Sequence, residues 1–209
     1  MYSAAAFLFV FLMMRSLVVL ALIFPLLFFC SCLENTNSTL AKNTVPSQAF
    51  FPVTNYILGQ LREIDSLPVT PLKITTINGI DDSVWMKKED IRIFAKPFLY
   101  PDIDTANLKS FFIESSFLDR SINAFTFSYD PITTLPDSFS LKRWDVYIDP
   151  QKNIVKRIFI IKEQKNNGSL QTIQLTWKSN SWCKITTITT APGNQSNRKE
   201  EIMKWNFSE

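Results

Sequence analysis

The stretch LKRWDVYIDPQKNIVKRIFIIKE, residues 141–163, sets two runs of alternating apolar residues on either side of Asp149-Pro150-Gln151-Lys152-Asn153. A period of two puts successive side chains on opposite faces of a strand, and the Asp-Pro and Asn residues between the runs are suited to reversing the chain. Within the second run, Ile158-Phe159-Ile160-Ile161 has no polar residue on either face. Such a strand is expected at the centre of a sheet, covered on both sides. Helices can cover one face; the other needs a curled closure of the sheet, a partner or an apolar ligand.

The same period extends outward. Asn123, Phe125, Phe127 and Tyr129 alternate, and Leu170–Trp177, Trp182–Thr190 and Glu200–Phe207 follow, with turn residues at Asn166-Asn167-Gly168 and Pro192-Gly193-Asn194. Six runs at hairpin spacing predict an antiparallel meander. Trp177 and Trp182 flank Lys178-Ser179-Asn180-Ser181 and are expected to face each other across that hairpin. Upstream of residue 121 the period is mostly helical. A helix is expected over 48–64, with Ser47 as its cap and Pro52 in its first turn, a second over 88–98, and a third run capped by Asp104 that aligns Leu108, Phe111, Phe112 and Ser115. Between the first two, residues 73–78 and 83–86 read as a short hairpin. The fold class is therefore α+β: N-terminal helices packed on an antiparallel β-meander of about six strands, with the option of curling toward a half-barrel.

The N-terminal region answers a different question. From Ala4 to Cys30 the only charge is Arg15, and Leu17–Phe29 has the length of a signal-peptide core, not of a span. An isolated charge in mid-segment costs about 3 kcal/mol on insertion scales, so Met13 or Met14 makes a better start than Met1. At the end of that core, Ser31-Cys32 in FPLLFFCSCLENTNST (24–39) resembles the lipobox of bacterial lipoproteins, which are cut before a lipidated cysteine that follows a small residue. Cys30 follows Phe29, which is too large for that position. The resemblance implies a signal peptide over 1–31, lipidation of Cys32, and membrane association through an acyl anchor. Residues 32–47, rich in Asn, Thr and Ser, read as a disordered tether, and residues 48–209 as a single α+β domain.

Chemistry is constrained mainly by exclusions. The chain has no His, which removes Ser-His-Asp, Cys-His and His-metal arrangements, and its four glycines form no phosphate-cradling loop. A net charge of +3 predicts no nucleic-acid partner. Neither cofactor nor metal is expected. Asp102-Ile103-Asp104 opens like a calcium loop, but Asn107 replaces the required Gly and Ile113 the bidentate Glu. Ser181-Trp182-Cys183-Lys184 has the Ser-x-x-Lys spacing of penicillin-recognising enzymes, yet it sits at a turn entering a strand, where a helix start is needed. Cys183 reads as a buried packing residue. The acid–base candidates are the pairs Asp81 and Asp82, Glu89 and Asp90, and Asp145 and Asp149, each of which also has an ordinary turn, helix-start or strand role.

Stretches such as Phe50-Phe51-Pro52-Val53-Thr54, Arg143-Trp144-Asp145-Val146-Tyr147-Ile148-Asp149-Pro150 and Trp182-Cys183-Lys184-Ile185-Thr186-Thr187 resemble an uncharacterised lipoprotein group of Bacteroidota. That resemblance implies a lipid-anchored cell-envelope address and no particular activity, and the lack of an acidic run just after Cys32 favours the periplasm-facing side of the outer membrane. The sequence reading leans away from an enzyme. It favours a noncatalytic binding or assembly module with an envelope protein as partner; a carrier or chaperone for an apolar ligand in a groove on the sheet, or a carboxylate-dependent hydrolase, are the alternatives.

Overall fold

The computed structural model describes residues 49–166, 168–193 and 196–208. Among them the chain forms helix α1 (Val53–Ser66), strands β1 (Leu72–Ile77) and β2 (Ile80–Trp85), helix α2 (Lys88–Leu99) and a single turn α3 (Thr105–Leu108). Seven strands follow: β3 (Phe112–Asp119), β4 (Ala124–Pro131), β5 (Leu141–Ile148), β6 (Val155–Asn166), β7 (Ser169–Lys178), β8 (Trp182–Thr190) and β9 (Ser196–Lys204). All nine lie in one antiparallel sheet of order β2-β1-β9-β8-β7-β6-β5-β4-β3, which does not close.

Nine strands replace the expected six for two reasons. The residue 73–86 hairpin joins the main sheet because β1 pairs with β9 from Leu72 opposite Lys204 to Ile77 opposite Lys199. Its tight turn is Asn78-Gly79, both at positive φ (51° and 80°), the combination that a two-residue reversal between right-twisted strands demands. Meanwhile the helix expected after Asp104 stops at Leu108, and Phe112 begins β3. Helix α1 also starts later than expected. Phe51 precedes Pro52, whose ring pushes the preceding residue out of the helical region, so the helix opens at Val53 and leaves Phe50 free to turn into the core. The expected cap Ser47 lies outside the described residues.

Cross-strand register sorts the sheet into two faces. Val146, Ile158, Trp177, Cys183 and Met203 stand in one row, with Trp144, Ile160, Leu175 and Ile185 in the next, and all are buried. Both main helices pack on this inner face. α1 contributes Val53, Ile57, Leu61 and Ile64, and α2 contributes Ile91, Ala95 and Phe98, at the i, i+3, i+4, i+7 spacing of a buried stripe. Phe98 meets Trp177 edge-on at 5.2 Å between ring centres, and Phe50 meets Tyr129 at 5.1 Å.

Strand β6 is interior to the sheet as expected, flanked by β5 and β7. Its second face is not sealed: Phe159 and Ile161 point away from the helices and are only half-buried, between neighbours such as Asp145 and Thr176. The tryptophan pair is also corrected. The β7–β8 loop contains only Ser179, Asn180 and Ser181, with Asn180 at φ 58°, so Lys178 pairs with Trp182 and Trp177 with Cys183. That one-residue difference sends the two indoles to opposite faces.

Lys162 continues the inner row of β6 and is 3% exposed. Its Nζ donates to the carbonyls of Pro97 and Tyr100, capping the C-terminal end of α2 where helical carbonyls lack partners. Burial pushes this amine down to about 8 from an ordinary 10.5. Below pH 8 it is protonated in both folded and unfolded chains and adds no slope. Between about 8 and 10.5 the unfolded chain holds a proton that the folded chain has released, so stability from this group rises with pH. The neutral amine keeps two N–H donors for the two carbonyls. Denaturant unfolding at pH 7, 8 and 9 should show the wild type gaining on Lys162→Met by about 1 kcal/mol from pH 8 to 9, on the way to a limiting slope of about 1.4 kcal/mol per pH unit. A difference independent of pH would show an amine that titrates as it does in water.

Candidate functional site

One end of the sheet gathers the β3–β4, β5–β6 and β7–β8 turns, and α1 begins above it. Two adjoining hollows lie there. The larger, about 540 Å³, is lined by Phe51, Tyr56, Ile154 and Val155, with Lys156 and Lys178 at its side. The smaller, about 290 Å³, shares Lys156 and Lys178 and adds Ile122, Tyr147, Arg157 and Trp182.

Local chemistry fixes each wall. Asp149 Oδ1 accepts the N–H groups of Gln151 and Lys152 at 2.9 and 3.0 Å, which winds the β5–β6 turn and leaves Asn153 at φ 54° before Ile154. Those two amides hold the Asp149 carboxyl below its usual range. On the opposite wall Tyr56 and Ser179 share a 2.7 Å hydrogen bond between hydroxyls, and Asn180 N–H donates to Gln60 Oε1, tying α1 to the β7–β8 loop. Lys156 Nζ donates to the Ile122 and Asn123 carbonyls at 3.0 and 3.3 Å, which joins the β3–β4 turn to β6. The Arg157 guanidinium lies 4.4 Å from the centre of the Tyr147 ring, a stacked cation on the outer face. The resulting surface is aromatic and aliphatic with a cationic rim.

By contrast, the space between helices and sheet is filled. Trp144 stacks on Tyr129 at 4.6 Å and 8°, with Phe112 at 4.8 Å and Phe50 at 6.0 Å around it.

The structure does not assemble the carboxylate pairs read from the sequence into an acid–base site. Asp81 and Asp82 lie on exposed β2, Glu89 and Asp90 in the first turn of α2, and Asp149 within its turn. Asp145 is joined to Asp130 instead: Arg143 contacts Asp145 Oδ1 and Asp130 Oδ1, each at 3.2 Å. The guanidinium fills the space that a water or shared proton between two catalytic carboxylates would need. Among the described residues no group of three or more His, Cys, Asp and Glu side chains comes together to hold a metal. Cys183 is fully buried between Trp177 and Met203, and burial pushes its thiol well up, against the thiolate that a nucleophile requires. Ser181 closes the β7–β8 loop and Trp182 opens β8, so the Ser-x-x-Lys spacing has no helix start. Cys30, Cys32, the signal segment and the tether lie outside the described residues.

The hollows were not legible in advance because three turns and a helix start build them from positions far apart in sequence. The Arg143–Asp145 pair carried a usable signal, since residues two apart on a strand share a face. No helix among the described residues is long and apolar enough to cross a membrane.

Comparison with protein-family models, with curated proteins and with solved structures finds no match to this chain.

Proposed function

We propose that this chain is a lipid-anchored cell-envelope protein acting as a noncatalytic binding or assembly module, held at the outer membrane by acylated Cys32 and facing the periplasm. The observation that carries the module reading is the filled interior. Aromatic side chains occupy the layer between helices and sheet, so ligand or partner contacts fall to the outer face, the strand edges and the hollow end. The anchor rests on Ser31-Cys32 at the close of an apolar signal core. Cys32→Ala should abolish labelling by a fatty-acid analogue and shift the protein out of the membrane fraction, whereas Cys30→Ala should label as wild type. Two acyl chains hold a protein stably where one is marginal. Labelling that survives Cys32→Ala would overturn the anchor.

The 540 Å³ hollow favours a second reading, a carrier for an apolar ligand with an anionic group. Phe51, Tyr56 and Ile154 would take the apolar part and Lys178 the charge, with the sheet curled toward a half-barrel around it. Ile154→Asp would then abolish binding of a fluorescent fatty acid and leave the thermal unfolding midpoint unchanged. Binding to the wild type no better than to Ile154→Asp would dispose of the carrier.

A further inference from the structure

The two edges of the open sheet differ. β2 has six residues and, although it exposes Ile80, Val84 and Trp85, carries adjacent exposed Asp81 and Asp82, charges that discourage strand addition. β3 runs eight residues in unbroken register with β4, contains neither proline nor lysine, and exposes Ile113 at 59%, Phe117 at 52% and Leu118 at 45%. No strand among the described residues pairs with its outer side.

From these features we infer that β3 is a homodimerisation edge, pairing antiparallel with β3 of a second copy about a two-fold axis at Ser115. The hydrogen-bond phase of the ladder fixes this register. Ile132 N–H donates to the Phe111 carbonyl, so residues 113, 115 and 117 turn their backbone groups toward β4, and Phe112, Glu114, Ser116 and Leu118 turn theirs outward. With Ser115 opposite Ser115 of the copy, Phe112 falls opposite Leu118 and Glu114 opposite Ser116. All four outward residues then meet outward residues, and each such pair exchanges about two bonds. Side chains agree with the backbone. On the outer face exposed Ile113 meets Phe117 in the closer, non-hydrogen-bonded kind of pair, and on the inner face Leu118 covers Phe112.

Charge selects the same partner. No carboxylate stands directly opposite another: Glu114, which accepts from the Tyr129 hydroxyl, faces Ser116, and Asp119 lies opposite Phe111 of the copy. A β2–β3 contact would instead bring two acidic edges into one ladder and propagate as an open filament. The β3 pairing requires no acyl chain, so failure of the anchor would leave it standing, and the reverse.

The test is disulfide trapping in the full chain solubilised in mild detergent. Paired residues of the non-hydrogen-bonded kind lie about 4.5 Å apart at Cα, inside the range a disulfide spans, so Ser115→Cys should form a disulfide-linked dimer under mild oxidant. Ser116→Cys faces Glu114 and sits diagonal to its own copy, roughly 7–8 Å away, and should cross-link at least about fivefold less. Ser116→Pro, placed where the N–H points away from β4, should abolish trapping of Ser115→Cys without lowering the thermal midpoint. Equal trapping at both serines, trapping that survives Ser116→Pro, or a dimer captured by Ser83→Cys on β2 in its place would each overturn the pairing.

Discussion

Ile160→Asp is expected to abolish cooperative unfolding, whereas Phe159→Thr, one residue away, keeps a sharp melt. Ile160 is fully buried on the inner face between Trp144 and Leu175. A carboxylate there has no partner, and an uncompensated buried charge costs several kcal/mol against a total stability of roughly 5–15 kcal/mol. Phe159 lies on the face without helices, opposite Asp145 and Thr176, and is only half-buried. Threonine suits a strand and adds no charge beside Asp145, so the loss is about 1–2 kcal/mol of apolar burial. Thermal unfolding of both variants, in chains lacking residues 1–47, separates the two faces. Collapse of both would show an outer face packed as tightly as the core.

That contrast also marks the limit of the sequence reading. Ile158-Phe159-Ile160-Ile161 is apolar throughout, and apolarity on both faces predicts two covering layers. The structure supplies one layer and lets polar neighbours on β5 and β7 shelter the other face, a cross-strand effect that a single strand's composition does not contain. The meander from β4 to β9 was legible because its alternation and turn residues are local signals. β3 was not, because Phe111, Phe112 and Ser115 fit a helical stripe as well as a strand, and pairing with β4 decided between them. Lys162 was hidden for a similar reason: only the fold brings the end of α2 over β6, where an amine is needed to cap the carbonyls of Pro97 and Tyr100. The one-residue register at Asn180 separates Trp177 from Trp182, a choice made by a left-handed loop residue and not by the strands themselves.

Trp144→Ala should cost about 3–5 kcal/mol, the range for emptying a large aromatic site, and Trp144→Phe no more than about 1 kcal/mol. Trp144 is fully buried and touches Phe50, Phe112 and Tyr129, so it joins the segment before α1 to β3, β4 and β5. Its Nε1 is buried without a hydrogen-bond partner, a standing cost that phenylalanine removes together with part of the ring. Tyr129 offers the opposite case. Its hydroxyl accepts from Phe51 N–H at 3.1 Å and donates to Glu114, and burial, the larger effect, with Glu114 beside it, raises the phenol's pKa. Tyr129→Phe removes a single oxygen but strands the Phe51 amide and the Glu114 acceptor, at about 1–3 kcal/mol. The smaller deletion should therefore be the more damaging of the two phenylalanine variants, measured as the shift in denaturant midpoint at constant m. The reverse order would mean that ring volume alone governs this cluster, and that the bond between Phe51 and Tyr129 does not fix how the chain enters the fold.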